Sequence, residues 1–490
     1  MINLNYFHNE KKVFNFFILL SFVVSSIFFF LTFNFPWTGD DFYLIFLQKL
    51  FNLINNNSFF DFEGSYVAGT KYGRFVPLYG LIYKFLTPNF IFFNLLVVII
   101  HFLNSIIFFL ISFKLFKNNF VSFISSFLFL IHYSITIKAL TWAAFSGHIF
   151  NCFFGLMSIY YFLKFLESKK IIHILTSTIF SVLGSMVMES GLVYPILNFL
   201  FIFFFKSKKI SHLILSLLPI FVYFFISFTL FQNSAYNFFF NRAFKKTSTE
   251  ELVIKHKEAF NTLYFYRSTY SPRDVKGYTI RIVDNFFNSI NLSSLEHTIL
   301  SNTKNSPLKE FLKTNYKKFT IIAMVFFVLF LFSLFLILKK TKSKKIYFEL
   351  IFIYSVMLFI YSIVFHRKYL SIALSFPATL IIGITCYNLI KINYSKLATL
   401  IVSIFIIPSL IYFYTKFEYI EDLGSWNQIK KTYNLYQKEI FKDAELVNFD
   451  LYGEGFTTYY YYNNYKKYED YLKRYKNLSF IEFKNLLYMR

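Results

Sequence analysis

Apolar residues run through this chain in blocks of about 20, enough for a helix to cross the ~30 Å hydrocarbon core of a bilayer. Such blocks lie near residues 14–35, 90–113, 120–138, 148–165, 171–188, 191–205, 210–232, 319–338, 346–365, 370–390 and 397–414. The run at 191–205 is short for a span, which leaves the expected total at eleven, give or take one. The pattern predicts an all-α polytopic membrane protein of about 11 transmembrane helices, with outer loops and a small C-terminal outer domain.

The polar segments between the runs give an orientation, because lysine and arginine in short loops mark the cytoplasmic side. With Lys11 and Lys12 inside, every second loop is expected to be basic. Each is: Lys114 and Lys117, Lys169 and Lys170, Lys206 with Lys208 and Lys209, the KKTKSKK run from Lys339 to Lys345, then Lys391 and Lys396. Residues 1–13 are therefore predicted cytoplasmic, 14–414 membrane-embedded and 415–490 an outer domain. Two outer loops stand out, at 36–88 and 233–318. The second is itself basic, with Lys245, Lys246, Lys255, Lys257, Arg267, Arg273, Lys276 and Arg281, but segments beyond about 60 residues escape the charge rule. Its basic residues read as mostly solvated surface.

Composition narrows the function classes. Charged residues make up 16% of the chain, against about 25% in soluble domains. A net charge of +24 would point to nucleic acid on a soluble domain. Here the lysines sit between apolar runs, so they read as topology signals and contacts to anionic membrane lipids, and no nucleic-acid partner is expected. The two cysteines, Cys152 and Cys386, both fall inside apolar runs, which speaks against a disulfide framework or a cysteine metal site. The first run is too long for a signal-peptide core and is expected to stay as an anchor.

Against this background two adjacent acids, Asp40 and Asp41, follow the first run in the segment WTGDDF (Trp37 to Phe42). Carboxylates beside hydrocarbon are costly unless hydrated, paired or employed. The parity puts them on the outer face with Arg74 in GRFVP, His148 at the start of the fourth helix, Glu189 between the fifth and sixth, and His366, Arg367 and Lys368 between the ninth and tenth. Such a set suits displacement at a sugar anomeric carbon with a lipid phosphate as leaving group. A carboxylate accepts the acceptor's proton, and cations neutralise the departing phosphate. Asp41 is the favoured base because it lies farther from the helix end. Asp40 is its neighbour or a ligand for a divalent cation such as Mg²⁺ or Mn²⁺, a role open to either acid.

The order of motifs resembles the GT-C class of integral-membrane glycosyltransferases, within it the branch with protein O-mannosyltransferases, lipid A aminoarabinose transferases and transmembrane-TPR mannosyltransferases. The residues that carry the likeness are Asp40 and Asp41, Arg74 with Pro77, and His101 and Asn104 in HFLN. They are followed by LFLIHYS (Leu128 to Ser134), TWAAFSGH (Thr141 to His148), SMVMESG (Ser185 to Gly191) and HRKYL (His366 to Leu370). The match covers roughly residues 14–205 plus the late fragment; Met188 stands where the family has a lysine, and no TPR array follows. The resemblance implies a polyprenyl-phosphate-linked sugar as donor and an outward-facing glycan, lipid or protein acceptor. Arg74, Arg367, Lys368 and His148 would contact the donor phosphate, with Glu189 and His366 supporting. A bacterial inner membrane is the expected location.

Plainer readings stand beside these. Asp40 and Asp41 would also serve as a helix cap or as partners of Arg74. His101 and His132, inside apolar runs, read as hydrogen-bonded packing residues. An O-antigen polymerase or ligase would rely instead on Arg267, Arg273 and Arg281. A flippase or transporter of lipid-linked sugar predicts charges and broken helices at mid-bilayer, which spans nearly free of Asp, Glu and Arg do not offer.

Overall fold

The computed structural model describes residues 7, 9–32, 78, 90–132, 143–206, 209–231, 275–291, 316–340, 344–364 and 372–421. Their regular structure is helical, and a helix falls on each of the eleven predicted runs. In chain order these are α1 (Glu10–Thr32), α2 (Phe90–Phe116), α3 (Asn119–Leu130), α4 (Ala143–Ser168) and α5 (Ile171–Val187). A 3₁₀ turn, Glu189–Leu192, leads into α6 (Val193–Phe205), followed by α7 (Ile210–Phe231). An additional helix, α8 (Val275–Ser289), precedes α9 (Tyr316–Lys340), α10 (Lys344–Val364), α11 (Ile372–Lys391) and α12 (Ser395–Glu421).

Six of these helices (α1, α2, α4, α7, α10 and α11) are long and apolar enough to cross a membrane, and the protein is a multi-pass membrane protein. Their burial differs in a way that sets the layers. In α11, 94% of the apolar window is buried inside the protein, against 28% for α1 and for α7. Thus α11 is the central post, while α1 and α7 turn most of their apolar surface outward, where lipid takes the place of a protein core. Small residues let neighbours approach the post closely. A Cβ added at Gly383 of α11 would lie 2.2 Å from Ser125 Oγ of α3, and one at Gly155 of α4 would lie 2.2 Å from the Tyr194 ring of α6.

The basic segments meet at one end, as the alternation of lysines requires. Lys114 pairs with Glu167, joining the ends of α2 and α4, and Lys206 at the end of α6 donates to the Lys114 carbonyl. The Asn119 amide donates to Phe7 O at 2.8 Å, bringing the N-terminal segment to the α2–α3 turn. Phe120 packs on Tyr387 of α11, whose ring lies 4.8 Å from Lys391 Nζ. Lys340 Nζ at the end of α9 donates to the Tyr394 hydroxyl at 3.2 Å, between α11 and α12.

Three expectations change. Within the predicted run 120–138 a helix ends at Leu130: Ile131 N–H turns back to Phe127 O and His132 N–H to Phe129 O, a tightening that closes its last turn, and residues 133–138 lie outside the described residues. Its 12 residues rise about 18 Å, short of a full span, and His132 lies past the helix rather than within it. Second, α12 continues to Glu421, through the expected domain boundary at 415. Third, the 233–318 loop holds α8, which enters the bundle, and Arg281 on it is 2% exposed rather than solvated.

The depth that α8 reaches follows from its partners. Asn285 Nδ2 donates to Ser362 Oγ near the C-terminal end of α10 (3.2 Å), whereas Ser289 Oγ meets the Tyr354 hydroxyl, at the midpoint of α10 (2.5 Å). Asn291 Nδ2 donates to Phe405 O of α12 at 2.5 Å and to Ser409. Tyr354 and Phe405 each follow their helix start by ten residues, a rise of about 15 Å, half of a ~30 Å hydrocarbon core. The helix therefore descends from the end opposite the lysines and stops at mid-depth. Arg281, Asn285, Asn288 and Ser289 recur at helical spacing on one buried stripe. A loop read from the sequence as wholly outside returns into the bundle because it can bury that stripe against polar partners.

Candidate functional site

Of the site residues expected from sequence, the structure describes His148 and Glu189; Asp40, Asp41, Arg74, His366, Arg367 and Lys368 lie outside the described residues. So do Arg267 and Arg273. The two described ones belong to the end opposite the lysines. On α4, Asn151 precedes Glu167 of the basic end by 16 residues, a separation of about 24 Å.

Glu189 is the first residue of the 3₁₀ turn, where α5 has ended and α6 has not begun, and it is 2% exposed. The turn is pinned to α4 by Asn151, whose Nδ2 donates to Met188 O at 3.2 Å and to Ser190 Oγ at 2.8 Å. It is pressed onto the end of α5 as well. A Cβ at Gly191 would stand 2.6 Å from Ser185 N and 2.7 Å from Gly184 C, both backbone, so no larger residue fits that crossing. The SMVMESG segment thus has a packing logic: Gly184 lets α5 approach Phe154 and Asn151 of α4, Gly191 allows the close turn, and the turn carries the acid.

His148 lies one helical turn before Asn151, and Ser146 is beside it; both are buried. The sequence suggested a histidine at the outer start of a helix; here α4 begins at Ala143, and His148 is a turn and a half inside. Just below the turn, the Tyr194 hydroxyl and Cys152 thiol hydrogen-bond, and the Tyr361 hydroxyl bonds the backbone at Ala373. These contacts link α4 to α6 and α10 to α11.

The HFLN motif acts one layer deeper. His101 and Asn104, one turn apart on α2, reach different neighbours from one helix face. His101 Nε2 donates to Leu130 O at 2.8 Å, and Asn104 Nδ2 to Ile149 O at 3.1 Å. Leu130 is the last residue of α3, so its carbonyl is one of the four at that helix end that take a partner from outside the helix. The bond fixes the proton on Nε2, since a carbonyl only accepts. His132 repeats the device: its Nε2 donates to Ser289 O, the last carbonyl of α8, at 3.2 Å. The two histidines therefore cap two helices that stop inside the bundle, which accords with the packing role read for them from sequence.

Several polar residues here carry no weight in the sequence analysis: Asn151, Asn285, Ser289, Asn291 and Tyr354. A legible signal existed for part of the set, since asparagine inside an apolar run is costly unless bonded. The α8 group needed the stripe of Arg281, Asn285 and Ser289 to be seen as a buried face. Arg281 itself lies over the Tyr278 ring, 5.3 Å from its centroid. Among the described residues no three His, Cys, Asp or Glu side chains come together to hold a metal ion. Asp40 and Asp41, the acids offered for Mg²⁺ or Mn²⁺, lie outside them.

No family model and no curated protein matches the sequence. Among solved structures, the chain is similar to the archaeal oligosaccharyltransferase AglB from Archaeoglobus fulgidus in complex with an inhibitory peptide and a dolichol-phosphate. The identity is 13% and the TM-score 0.45, over 86% of this chain and 60% of that one. It is also similar to the apo form of the Archaeoglobus fulgidus oligosaccharyltransferase, with 14% identity and a TM-score of 0.42, over 86% of this chain and 59% of that one. This chain thus spans about three fifths of the length of the proteins it resembles, and TM-scores below 0.5 at such identity assign neither a family nor an activity.

Proposed function

We propose that the protein is an inverting membrane glycosyltransferase that moves a sugar from a polyprenyl-phosphate donor to an outward-facing acceptor, a glycolipid, lipopolysaccharide component or protein. Asp41, with Asp40 beside it, takes the proton of the acceptor hydroxyl as that oxygen bonds the anomeric carbon from the face opposite the leaving group. The C–O bond to the lipid phosphate breaks, and Arg74, Arg367, Lys368 and His148 hold the charge that grows on the phosphate. Glu189 and His366 support this set. Either Asp40 or Asp41 would hold Mg²⁺ or Mn²⁺ if the reaction uses one. The membrane in question is the bacterial inner membrane, with the lysine-bearing end inside and the opposite end outside.

The observation that supports the reading is the buried turn carrying Glu189, docked through Asn151 on the helix end that carries His148, opposite the lysines. That end is where the parity of the loops also puts Asp40, Asp41, Arg74 and Arg367. Asp40→Asn and Asp41→Asn are expected to leave expression and folding intact, and at least one to abolish transfer of labelled sugar from a polyprenyl-phosphate donor. Full transfer by the double variant would remove both acids from the mechanism.

One observation favours a second reading, an O-antigen polymerase or ligase built on arginines of the long loop: Arg281 is buried on α8. Arg281→Lys distinguishes the two. It abolishes turnover in the polymerase or ligase reading while the Asp40 and Asp41 variants stay active, and the reverse pattern supports sugar transfer by the acidic pair.

A further inference from the structure

The lysine-bearing end has a feature that topology alone does not require. The turns after α2, α4 and α6 meet at one place: Lys114 pairs with Glu167, Lys206 reaches the Lys114 carbonyl, and Phe116 packs on Phe205 with ring centroids 5.3 Å apart. Among the described residues of these turns Glu167 is the one carboxylate, against Lys114, Lys117, Lys169, Lys170, Lys206 and Lys209. Burial, then the nearby Lys117 and Lys114, hold the Lys206 ammonium below the ordinary lysine range, with Glu167 partly opposing them. The cluster repels itself, and an anion among its members relieves that repulsion.

Backbone conformation points the same way. Lys117 and Lys169 follow the last residues of α2 and α4 with φ of 51° and 60°, the left-handed region where glycine or asparagine is usual. The chain uses asparagine for that conformation elsewhere, at Asn291 and Asn393. At these two turns it keeps a cation instead. Beside the lysines the surface is apolar and faces outward: Ile171 and Ile172 on α5 are 66% and 56% exposed, and Ile210 and Ile214 on α7 are 73% and 61% exposed. A soluble anion has no use for such a wall. A molecule with an anionic head and hydrocarbon tails contacts both surfaces.

We propose that the meeting point of the α2, α4 and α6 ends is a binding site for an anionic phospholipid, its phosphate seated among Lys117, Lys169 and Lys206 and its acyl chains along the exposed faces of α5 and α7. The site lies at the end of the bundle remote from Glu189 and is independent of the sugar-transfer reading. Native mass spectrometry of the full chain released from vesicles of mixed phosphatidylglycerol and phosphatidylcholine tests it. The wild type is expected to retain phosphatidylglycerol selectively. Lys117→Gln/Lys206→Gln should lower that retention by about 25-fold, from about fivefold per lysine near an anionic surface, while Lys345→Gln, at the α9–α10 turn, leaves it unchanged. Equal retention by the double variant overturns the site, as does equal retention of phosphatidylcholine by the wild type. Inorganic phosphate displacing phosphatidylglycerol at millimolar concentration would mark a simple anion site and overturn the phospholipid assignment. If the double variant does not fold, thermal unfolding of the wild type in nanodiscs decides: a rise in midpoint with phosphatidylglycerol but not with phosphatidylcholine supports the site, and its absence sinks it.

Discussion

Helix C-termini are completed in two different ways in this protein. At the lysine-bearing end, Lys206 donates to the Lys114 carbonyl in the last turn of α2, and other lysines surround it. Inside the bundle, where α3 and α8 stop short, the donors are the imidazoles of His101 and His132. The need is the same in both places, because the last four carbonyls of a helix have no N–H of their own. What differs is the surrounding medium. At the water boundary an ammonium stays hydrated while it leans on a carbonyl, whereas at mid-depth its charge would cost several kcal/mol. A neutral imidazole brings one N–H without a charge. The histidines that read from the sequence as hydrogen-bonded packing residues thus supply an uncharged donor to a helix end in hydrocarbon.

The comparison is broken most severely by removing the interior donors. His132→Leu and His101→Leu each remove a buried hydrogen bond to a helix-end carbonyl, expected to destabilise the fold by about 1–3 kcal/mol. Thermal unfolding in lipid nanodiscs measures this, and His101→Gln, which keeps an N–H, should recover part of the loss. Equal stability of His101→Leu and wild type would show that Leu130 O does not need its partner. A somewhat smaller loss, about 1 kcal/mol, is expected from Asn151→Leu, which frees the Glu189 turn from α4. Its transfer activity should fall further than its stability, read as turnover at a temperature where the variant is fully folded.

The boundary donors matter less. Lys206→Met and Glu167→Gln are expected to cost at most about 1 kcal/mol, and the loss should shrink further with added salt as the exposed charges are screened. Lys206 also gives a pH test with a definite sign. Because its folded-state pKa is lowered from 10.5, the unfolded chain binds more protons between the two values, so stability rises with pH through that window. Lys206→Met should flatten the rise in unfolding midpoint measured on the alkaline side; an unchanged slope would assign it to another group.

Much of the fold was legible along the chain, and particular residues show why. Runs such as 90–113 and 370–390 became α2 and α11 because about 20 apolar residues in hydrocarbon have few alternatives to a helix that satisfies its own backbone. The lysines of alternate loops do share one end of the bundle, since each sits where a helix meets water. The helix ending at Leu130 was not legible, because its apolar sequence continues beyond it. Nor was α8, whose polar stripe looks like a solvated face until His132, Tyr354, Ser362 and Phe405 supply its partners.

By itself, then, the sequence determined that this is a helical membrane protein, where every described helix but α8 falls, and which ends carry its lysines. Those properties depend on local hydropathy and charge, summed over neighbours in the chain. Tertiary structure alone decided that α3 and α8 stop inside, that Arg281 is buried, that His101 and His132 cap them, and that Asn151 holds the Glu189 turn. The hydrogen bonds that fix the caps, α8 and the turn join residues at least 29 positions apart. Whether a polar side chain in hydrocarbon is a site, a cap or a cost depends on the partner that packing brings to it, and a chain read in order does not contain that partner's position.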